Sequence, residues 1–143
     1  MKLDFSQKYA VRPLTAGDVD KILALCAENE QFYRYHPPMA TRESILADMT
    51  ALPPGTGVEN KHYLGFFDGD ALVAVLDLIE HYPQQNTAYI GFFMTKKERQ
   101  GCGLGTSLIG KLFDELRKEK FCRVRLAIDR GNPQSKAFWE KNG

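Results

Sequence analysis

The stretch RQGCGLGTSL, residues 99–108, places three glycines at alternate positions immediately before an apolar helical pattern. An apolar segment typical of a β-strand, residues 87–95, precedes it, and residues 104–116 continue it with apolar side chains at helical spacing. An alternating segment over residues 121–129 then predicts a further strand. Strand, loop, helix and strand form a βαβ unit with parallel strands. The glycines therefore lie at a helix N-terminus, where backbone N–H groups and the helix dipole favour an anion.

Three phosphate-binding motifs compete for this glycine loop. The dinucleotide fingerprint G-x-G-x-x-G fails because its sixth position, counted from Gly101, is Thr106, and no acidic residue follows at the expected distance. The P-loop pattern comes closer over residues 105–112, but Leu112 occupies the position of the magnesium-binding hydroxyl group. A third pattern, Q/R-x-x-G-x-G, matches residues 100–105.

The third pattern, in its position between strand and helix, resembles the pyrophosphate loop of the GCN5-related N-acetyltransferase (GNAT) superfamily. The segment IDRGNPQSKAFWEKNG, residues 128–143, is similar to the family's segment after the next strand. The resemblance implies an α/β (α+β) fold: a mixed, mostly antiparallel sheet with helices on both faces and a central parallel strand pair that splays at the cofactor cleft. Because relatives continue with one more strand, it also implies a single domain over residues 1–143 that is truncated before that strand.

The resemblance further implies acetyl-coenzyme A (acetyl-CoA) as co-substrate and no metal ion. In the family, the glycine loop wraps the pyrophosphate with backbone amides, and the end of the preceding strand pairs with the pantetheine arm. Glycine suits this loop because it has no Cβ to block a close approach. The positions matched to cofactor contacts are Phe93, Met94, Thr95, Gln100, Gly101, Cys102, Gly103, Leu104, Gly105, Thr106 and Asn132. Helix N-capping explains Asn132 equally well, and Lys96, Lys97 and Arg99 add positive charge beside the loop.

The implied reaction, attack of an amine on an acetyl thioester, needs a base that removes the ammonium proton. Asp77 and Glu80 interrupt an apolar strand, where burying a charge is costly, and both are candidate catalytic residues. Their odd separation predicts that they point to opposite faces of the sheet, so only one can face the cleft. His81 and Tyr89 are further candidates. The tyrosine that serves many relatives as an acid is replaced by Trp139, whose indole N–H is not a useful acid.

The rest of the sequence predicts the other strands and helices. Residues 62–83 form two apolar runs around Asp-Gly-Asp and predict a hairpin, and residues 9–15 predict a first strand. Thr15 and Thr41 are expected to cap two helices. The second of these helices carries a predicted apolar stripe of Ile45, Leu46 and Met49.

Aromatic residues cluster in ENEQFYRYHP, residues 28–37, where relatives build the acceptor pocket. Packing of a helix explains some of these aromatic residues equally well. The cluster comprises Phe32, Tyr33, Tyr35 and His36.

Composition narrows the class of protein. No apolar run approaches the roughly 20 residues that span a bilayer. The three cysteines lack metal-site spacing, which favours reduced thiols in the cytoplasm.

Residues 1–90 hold 7 basic and 12 acidic side chains, and residues 91–143 hold 12 basic and 6 acidic ones. The basic residues are not interleaved with aromatic ones, unlike a nucleic-acid surface. We expect a cytoplasmic acyltransferase that acts on an amine of a small molecule or peptide, without nucleic acid or membrane as partner, with a homodimer as a possible assembly.

The missing tyrosine leaves a second hypothesis open, a non-catalytic regulatory module that binds acyl-CoA. A third hypothesis is a protein-interaction domain that uses the aromatic cluster. Tight acetyl-CoA binding without thiol release would indicate the second, and no binding at all would indicate the third.

Overall fold

The structure, a computed structural model, describes residue 6 and residues 8–35, 37–100, 103–126 and 137–140. In these ranges one five-stranded sheet has the order β1-β2-β3-β4-β5. Its strands are β1 (Ala10–Pro13), β2 (Lys61–Asp68), β3 (Ala71–Glu80), β4 (Thr87–Thr95) and β5 (Arg123–Leu126). Neighbouring strands are antiparallel except β4 and β5, which are parallel. The predicted mixed, mostly antiparallel sheet with one parallel pair is therefore confirmed.

Four α-helices and three short 3-10 turns accompany the sheet in the described ranges. They are α1 (Val19–Glu28), α2 (Glu30–Tyr35), α3 (Arg42–Thr50) and α4 (Leu104–Lys118), with 3-10 turns at Ala16–Asp18, Val58–Asn60 and Lys97–Arg99; residues 137–140 are also helical. Within the part of the chain that the structure describes, no helix has the length and apolar character needed to cross a membrane.

The predicted capping residue is confirmed for α3 but not for α1, whose N-cap is Asp18. The Thr41 side chain accepts the Ser44 N–H at 3.1 Å and so caps α3. After Thr15 the chain first forms a 3-10 turn, and α1 begins only at Val19. The predicted stripe of α3 is wrong at one position, because Ile45 is 2% exposed but Leu46 is 41% exposed and faces solvent.

Helices cover the sheet on both faces, as predicted. On β2, Leu64 and Phe66 belong to the core beneath α4, whereas Tyr63 and Phe67 belong to the core beneath α1, α2 and α3. We call these two sides the α4 face and the α1–α3 face. Strands buried on both faces explain why their sequences are almost continuously apolar.

The parallel pairing uses only the first half of β4. It runs from Thr87 opposite Arg123 to Ile90 opposite Leu126. Residues 127–129, the end of the predicted last strand, lie outside the described residues.

An ion pair joins β1 to the start of α1. The Arg12 guanidinium donates to both Asp18 carboxylate oxygens at 2.8 and 2.9 Å, and the Thr15 N–H donates to the same carboxylate at 2.9 Å. These hydrogen bonds hold the pKa of Asp18 well below its usual range, although partial burial opposes them.

Candidate active site

A β-bulge interrupts the pairing between β3 and β4. Asp77 lies opposite Phe92, whereas the next residue of β3 lies opposite Ile90, so Gly91 is the extra residue of β4. The bulge directly follows Ile90, the last β4 residue that pairs with β5. Beyond it, the side of β4 that faces away from β3 has no partner strand within the described ranges. Within the described ranges, the edge of β4 is therefore unpaired from the bulge onward.

Asp77 lies against the bulge. A Cβ atom on Gly91 would come within 3.2 Å of Asp77 Oδ2, so the carboxylate occupies space that a side chain there would fill. Lys61 Nζ is 3.1 Å from both carboxylate oxygens, but only Oδ2 is aligned to accept its hydrogen bond. Oδ1 is buried and accepts no hydrogen bond from the described residues. The Asp77 side chain is 14% exposed, and this burial raises its pKa more than the Lys61 ammonium lowers it.

Other titratable side chains surround Asp77 on the α1–α3 face. Tyr63 lies directly across from it on β2, and Asp48 of α3 is close enough to raise the pKa of Asp77 further. Tyr33 of α2 lies near Cys26 of α1, in the same core. Burial raises the pKa of Tyr33 and of Tyr63, so both hydroxyl groups are neutral at physiological pH.

Part of the predicted aromatic cluster adjoins this group. Phe32 packs edge-on against Phe92 of the bulge at 6.0 Å between ring centroids, and against Tyr33 at 5.0 Å. Tyr35 is 36% exposed, and His36 lies outside the described residues. Two of the four aromatic candidates therefore belong to the apolar wall beside Asp77.

Glu80 lies on the opposite face, as its odd spacing from Asp77 predicts. It pairs with Ala88 of β4, whose side chain belongs to the core of the α4 face. Its carboxylate contacts His62 Nε2. The sheet thus separates the two predicted catalytic carboxylates, and of these two only Asp77 adjoins the bulge.

The two further candidates for the base have identifiable contacts. His81 has a positive φ of 59°, stacks on Phe121 and accepts the Asn86 N–H at Nδ1, which fixes it in the turn after β3. Tyr89 is half-buried two residues before the bulge and contacts Tyr82 edge-on at 5.4 Å. The turn contacts give His81 a structural role.

The glycine loop leads into α4 through Gly103. This residue is the N-cap of α4 with a φ of 85°, and a Cβ atom on it would meet no atom of the described residues within 4 Å. A Cβ on Gly105, in contrast, would come within 2.8 Å of the Phe138 ring, so packing against that ring explains this glycine. The first turn of α4 holds no acidic residue, and its leading N–H groups lack partners within the helix. Gly101, Cys102 and Asn132 lie outside the described residues.

The other loop positions differ in what their side chains do. Leu104 is 6% exposed and packs into the core of the α4 face, and Thr106 is half-buried. Backbone N–H groups are therefore what these two positions offer to a ligand.

Gln100 ties the loop to the end of β4. Its Nε2 donates to Asn29 Oδ1 at 2.6 Å and to the Thr95 carbonyl at 3.1 Å. Asn29 ends α1, is 7% exposed, and donates to the same Thr95 carbonyl at 3.2 Å. Sequence reasoning missed Asn29; its only local signal is an asparagine at a helix C-terminus. The Gln100 side chain thus holds the loop in place.

The strand-end residues matched to the pantetheine arm have side chains in the core. Phe93 stacks on Phe138 at 6.0 Å and meets Trp139 edge-on at 6.1 Å, on the α4 face. Met94 is buried on the α1–α3 face. Backbone groups, whose direction alternates along the strand, are therefore what this segment could offer to a ligand. Trp139 is a packing residue in this arrangement.

Two of the positive charges beside the loop are ion-paired. Lys96 Nζ lies 3.3 Å from a Glu28 carboxylate oxygen, and Arg99 Nη2 lies 3.0 Å from an Asp68 carboxylate oxygen. Their attraction for a phosphate is therefore partly offset.

A family model described as Acetyltransferase (GNAT) family matches residues 22–143. The comparison with curated protein sequences yields no significant match.

Solved structures share the fold. An acetyltransferase from Thermus thermophilus superposes with a TM-score of 0.80 at 21% identity, over 95% of this chain and 86% of that one. The PaiA N-acetyltransferase of Thermoplasma acidophilum, solved with coenzyme A, gives 0.70 at 18% identity over 94% and 88%. The ribosomal-protein-S18-alanine N-acetyltransferase of Escherichia coli gives 0.68 at 16% identity over 94% and 76%.

Proposed function

The chain belongs to the acetyltransferase (GNAT) family, and we propose that it is an acetyl-CoA-dependent N-acetyltransferase that acts on a primary amine of a small molecule or peptide. The amine attacks the thioester directly in a ternary complex. One observation carries the proposal: a buried carboxylate, that of Asp77, lies against the β4 bulge at the point where β4 stops pairing with β5.

The N-terminus of α4 fits the pyrophosphate of acetyl-CoA. No described residue fills the space beside the Gly103 Cα, which leaves room for a ligand at the backbone, and the first-turn N–H groups and helix dipole favour its negative charge. The edge of β4 beyond Gly91, which no strand of the described residues pairs with, would offer backbone groups to the pantetheine amides. When bound, acetyl-CoA supplies an activated acetyl thioester.

In the proposed reaction, the Asp77 carboxylate accepts a proton from the substrate ammonium group. The neutral amine nitrogen then forms the new C–N bond while the thioester C–S bond breaks, and the second proton of the former ammonium group passes to solvent. The raised pKa of Asp77 makes it a stronger base than an exposed carboxylate. A backbone N–H on the open side of β4 donates to the carbonyl oxygen as negative charge develops there. The released thiolate takes its proton from solvent, because Trp139 offers no suitable acid.

A second candidate function, a non-catalytic module that binds acyl-CoA, is favoured by the packing of Trp139. Its indole meets Phe138 edge-on at 4.9 Å and Phe93 at 6.1 Å, where many members of the resembled family carry an acid tyrosine. With Trp139 at this position, the chain would retain the glycine loop for the cofactor but lack the tyrosine acid.

Release of coenzyme A thiol across a panel of amines tests both functions. The panel contains a polyamine, an aminoglycoside, free amino acids and a peptide N-terminus, with an amine-free reaction as control. We expect at least one amine to raise thiol release above the control and to gain one acetyl group by mass spectrometry. Acetyl-CoA binding by calorimetry without release by any amine would favour the regulatory module. Absence of binding would contradict both.

A further inference from the structure

Lys61 is the cation nearest to Asp77 among the described residues, and it is more deeply buried than its partner. Its side chain is 7% exposed. Nζ donates to Asp77 Oδ2 at 3.1 Å and to the Ala51 carbonyl at 2.9 Å, and it lies 5.7 Å from the centre of the Tyr63 ring. The ammonium group is therefore fixed by contacts from the β2 strand, from the loop after α3 and from β3.

The other groups around Asp77 do not replace this cation. The titratable side chains grouped around Asp77 and its neighbour Tyr63 are Asp48 on α3, Tyr33 on α2 and Cys26 on α1. Asp48 is a carboxylate that repels a negative charge on Asp77, and burial raises the pKa of both tyrosines and of the cysteine, so these three groups are neutral at physiological pH. Arg12 and Lys21 also lie on this face, over the Phe67 ring. Arg12 is paired with Asp18, and Lys21 donates to the Asp70 carbonyl. Among the described residues, Lys61 is therefore the cation in contact with Asp77.

We propose that Lys61 is a positioning residue for acetyl transfer: its ammonium group keeps the Asp77 carboxylate ionised and holds it against the bulge. Asp77 must be ionised to act as a base, yet burial favours its neutral form. Lys61 Nζ lies 3.1 Å from both carboxylate oxygens, and Oδ2 is the oxygen that faces the bulge. The inference rests on the proposed function, because it assigns Lys61 a part in that reaction.

The test is the pH dependence of kcat/KM for a Lys61→Met variant with an accepted amine. Removing the cation raises the pKa of Asp77, so the acidic limb of the profile moves to higher pH. At a pH on the wild-type plateau but below the variant's limb, kcat/KM falls by about tenfold or more, and it recovers at higher pH. Lys61→Arg keeps the cation and retains the wild-type limb. Lys21→Met, which removes an exposed lysine of α1 bonded to the Asp70 carbonyl, is the matched control and changes neither limb nor rate.

The following outcomes distinguish a failure of this inference from a failure of the proposed function. An equal loss of kcat/KM at every pH, or an unmoved limb, in folded Lys61→Met overturns the role of Lys61. If that variant does not fold, Lys61→Gln, which keeps a donor without the charge, must show the same shift. A carbon-13 NMR titration of the Asp77 carboxyl, assigned with Asp77→Asn, needs no turnover: an upward shift of its pKa in Lys61→Gln shows that Lys61 keeps Asp77 ionised, whether or not an amine is acetylated, and no shift overturns the inference.

Discussion

The Asp77→Asn substitution is expected to lower kcat by about 100-fold or more, because it removes the proton acceptor and keeps the size of the side chain. A 100-fold loss corresponds to about 2.7 kcal/mol of activation free energy. The structure supports a loss this large because the carboxylate is buried against the β4 bulge, where solvent is a poor replacement for the base. The assay is thiol release at saturating acetyl-CoA with an accepted amine, measured across pH.

Glu80→Gln is the matched control, since Glu80 lies on the same strand but on the other face of the sheet. We expect it to keep a near-normal kcat. Acetyl-CoA affinity, measured by calorimetry, should be unchanged in both variants because neither residue contacts the start of α4. An Asp77→Asn enzyme with wild-type kcat and an unshifted pH profile would refute the reasoning and place the base elsewhere, with Tyr89 or an ordered water as the next candidates.

The same substitution changes how stability depends on pH. Burial raises the pKa of Asp77 above its ordinary value of 3.8, so between these two pKa values the folded state binds the proton more tightly than the unfolded state. The free energy of unfolding therefore receives a contribution from Asp77 that falls as pH rises through that interval. Urea unfolding at a series of pH values should show that Asp77→Asn lacks this fall.

Three further substitutions test other parts of the structure. Gly103→Ala should weaken acetyl-CoA binding in calorimetry and lower stability by about 1–2 kcal/mol because of its positive φ. Its control is Gly110→Ala, at an open helical position, which should raise stability by up to about 1 kcal/mol. Unchanged affinity in folded Gly103→Ala would contradict the loop assignment. Gly105→Ala should destabilise by about 1–3 kcal/mol through its overlap with Phe138, and strict additivity with Phe138→Ala in a double-mutant cycle would argue against that contact. Asp18→Asn should lower the free energy of unfolding at neutral pH and make it depend less on pH in the acidic range. The reason is that the pKa of Asp18 is held below 3.8 in the folded state, so its stabilising contribution is lost as pH falls through the folded pKa. An unchanged pH dependence in urea unfolding would contradict this.

Local patterns were sufficient to predict individual strands and helices, and the resemblance to the GNAT family supplied the mixed, mostly antiparallel sheet. The apolar runs before and after the Asp-Gly-Asp turn form β2 and β3, and β4 has the predicted bounds of 87–95. The apolar positions of α4 recur at helical spacing and pack on the sheet. Each of these features is set by residues close together in the chain, which is why a single sequence reveals them.

The polar contacts of the site could not be predicted in this way. Lys61 meets Asp77 across 16 positions of the chain, and Gln100 meets Asn29 across 71. Neither residue stands out locally: a lysine at the start of a strand and an asparagine after a helix are common on protein surfaces. Their burial follows from tertiary packing, and it turns ordinary polar residues into fixed parts of the site.

The bulge at Gly91 also explains why strand alternation alone could not assign the faces of β4. Strict alternation from Ile90, whose side chain lies on the α4 face, would place Phe92 on that face too. Because Gly91 is an extra residue, the alternation reverses: Phe92 and Met94 pack on the α1–α3 face and Phe93 on the α4 face. The glycine in IGFFM was a readable signal for a bulge, since an isolated glycine within an apolar strand often marks one. The spacing of Asp77 and Glu80 in the sequence was enough to place them on opposite faces of the sheet. That the β4 bulge lies beside Asp77 follows only from the register shift between β3 and β4.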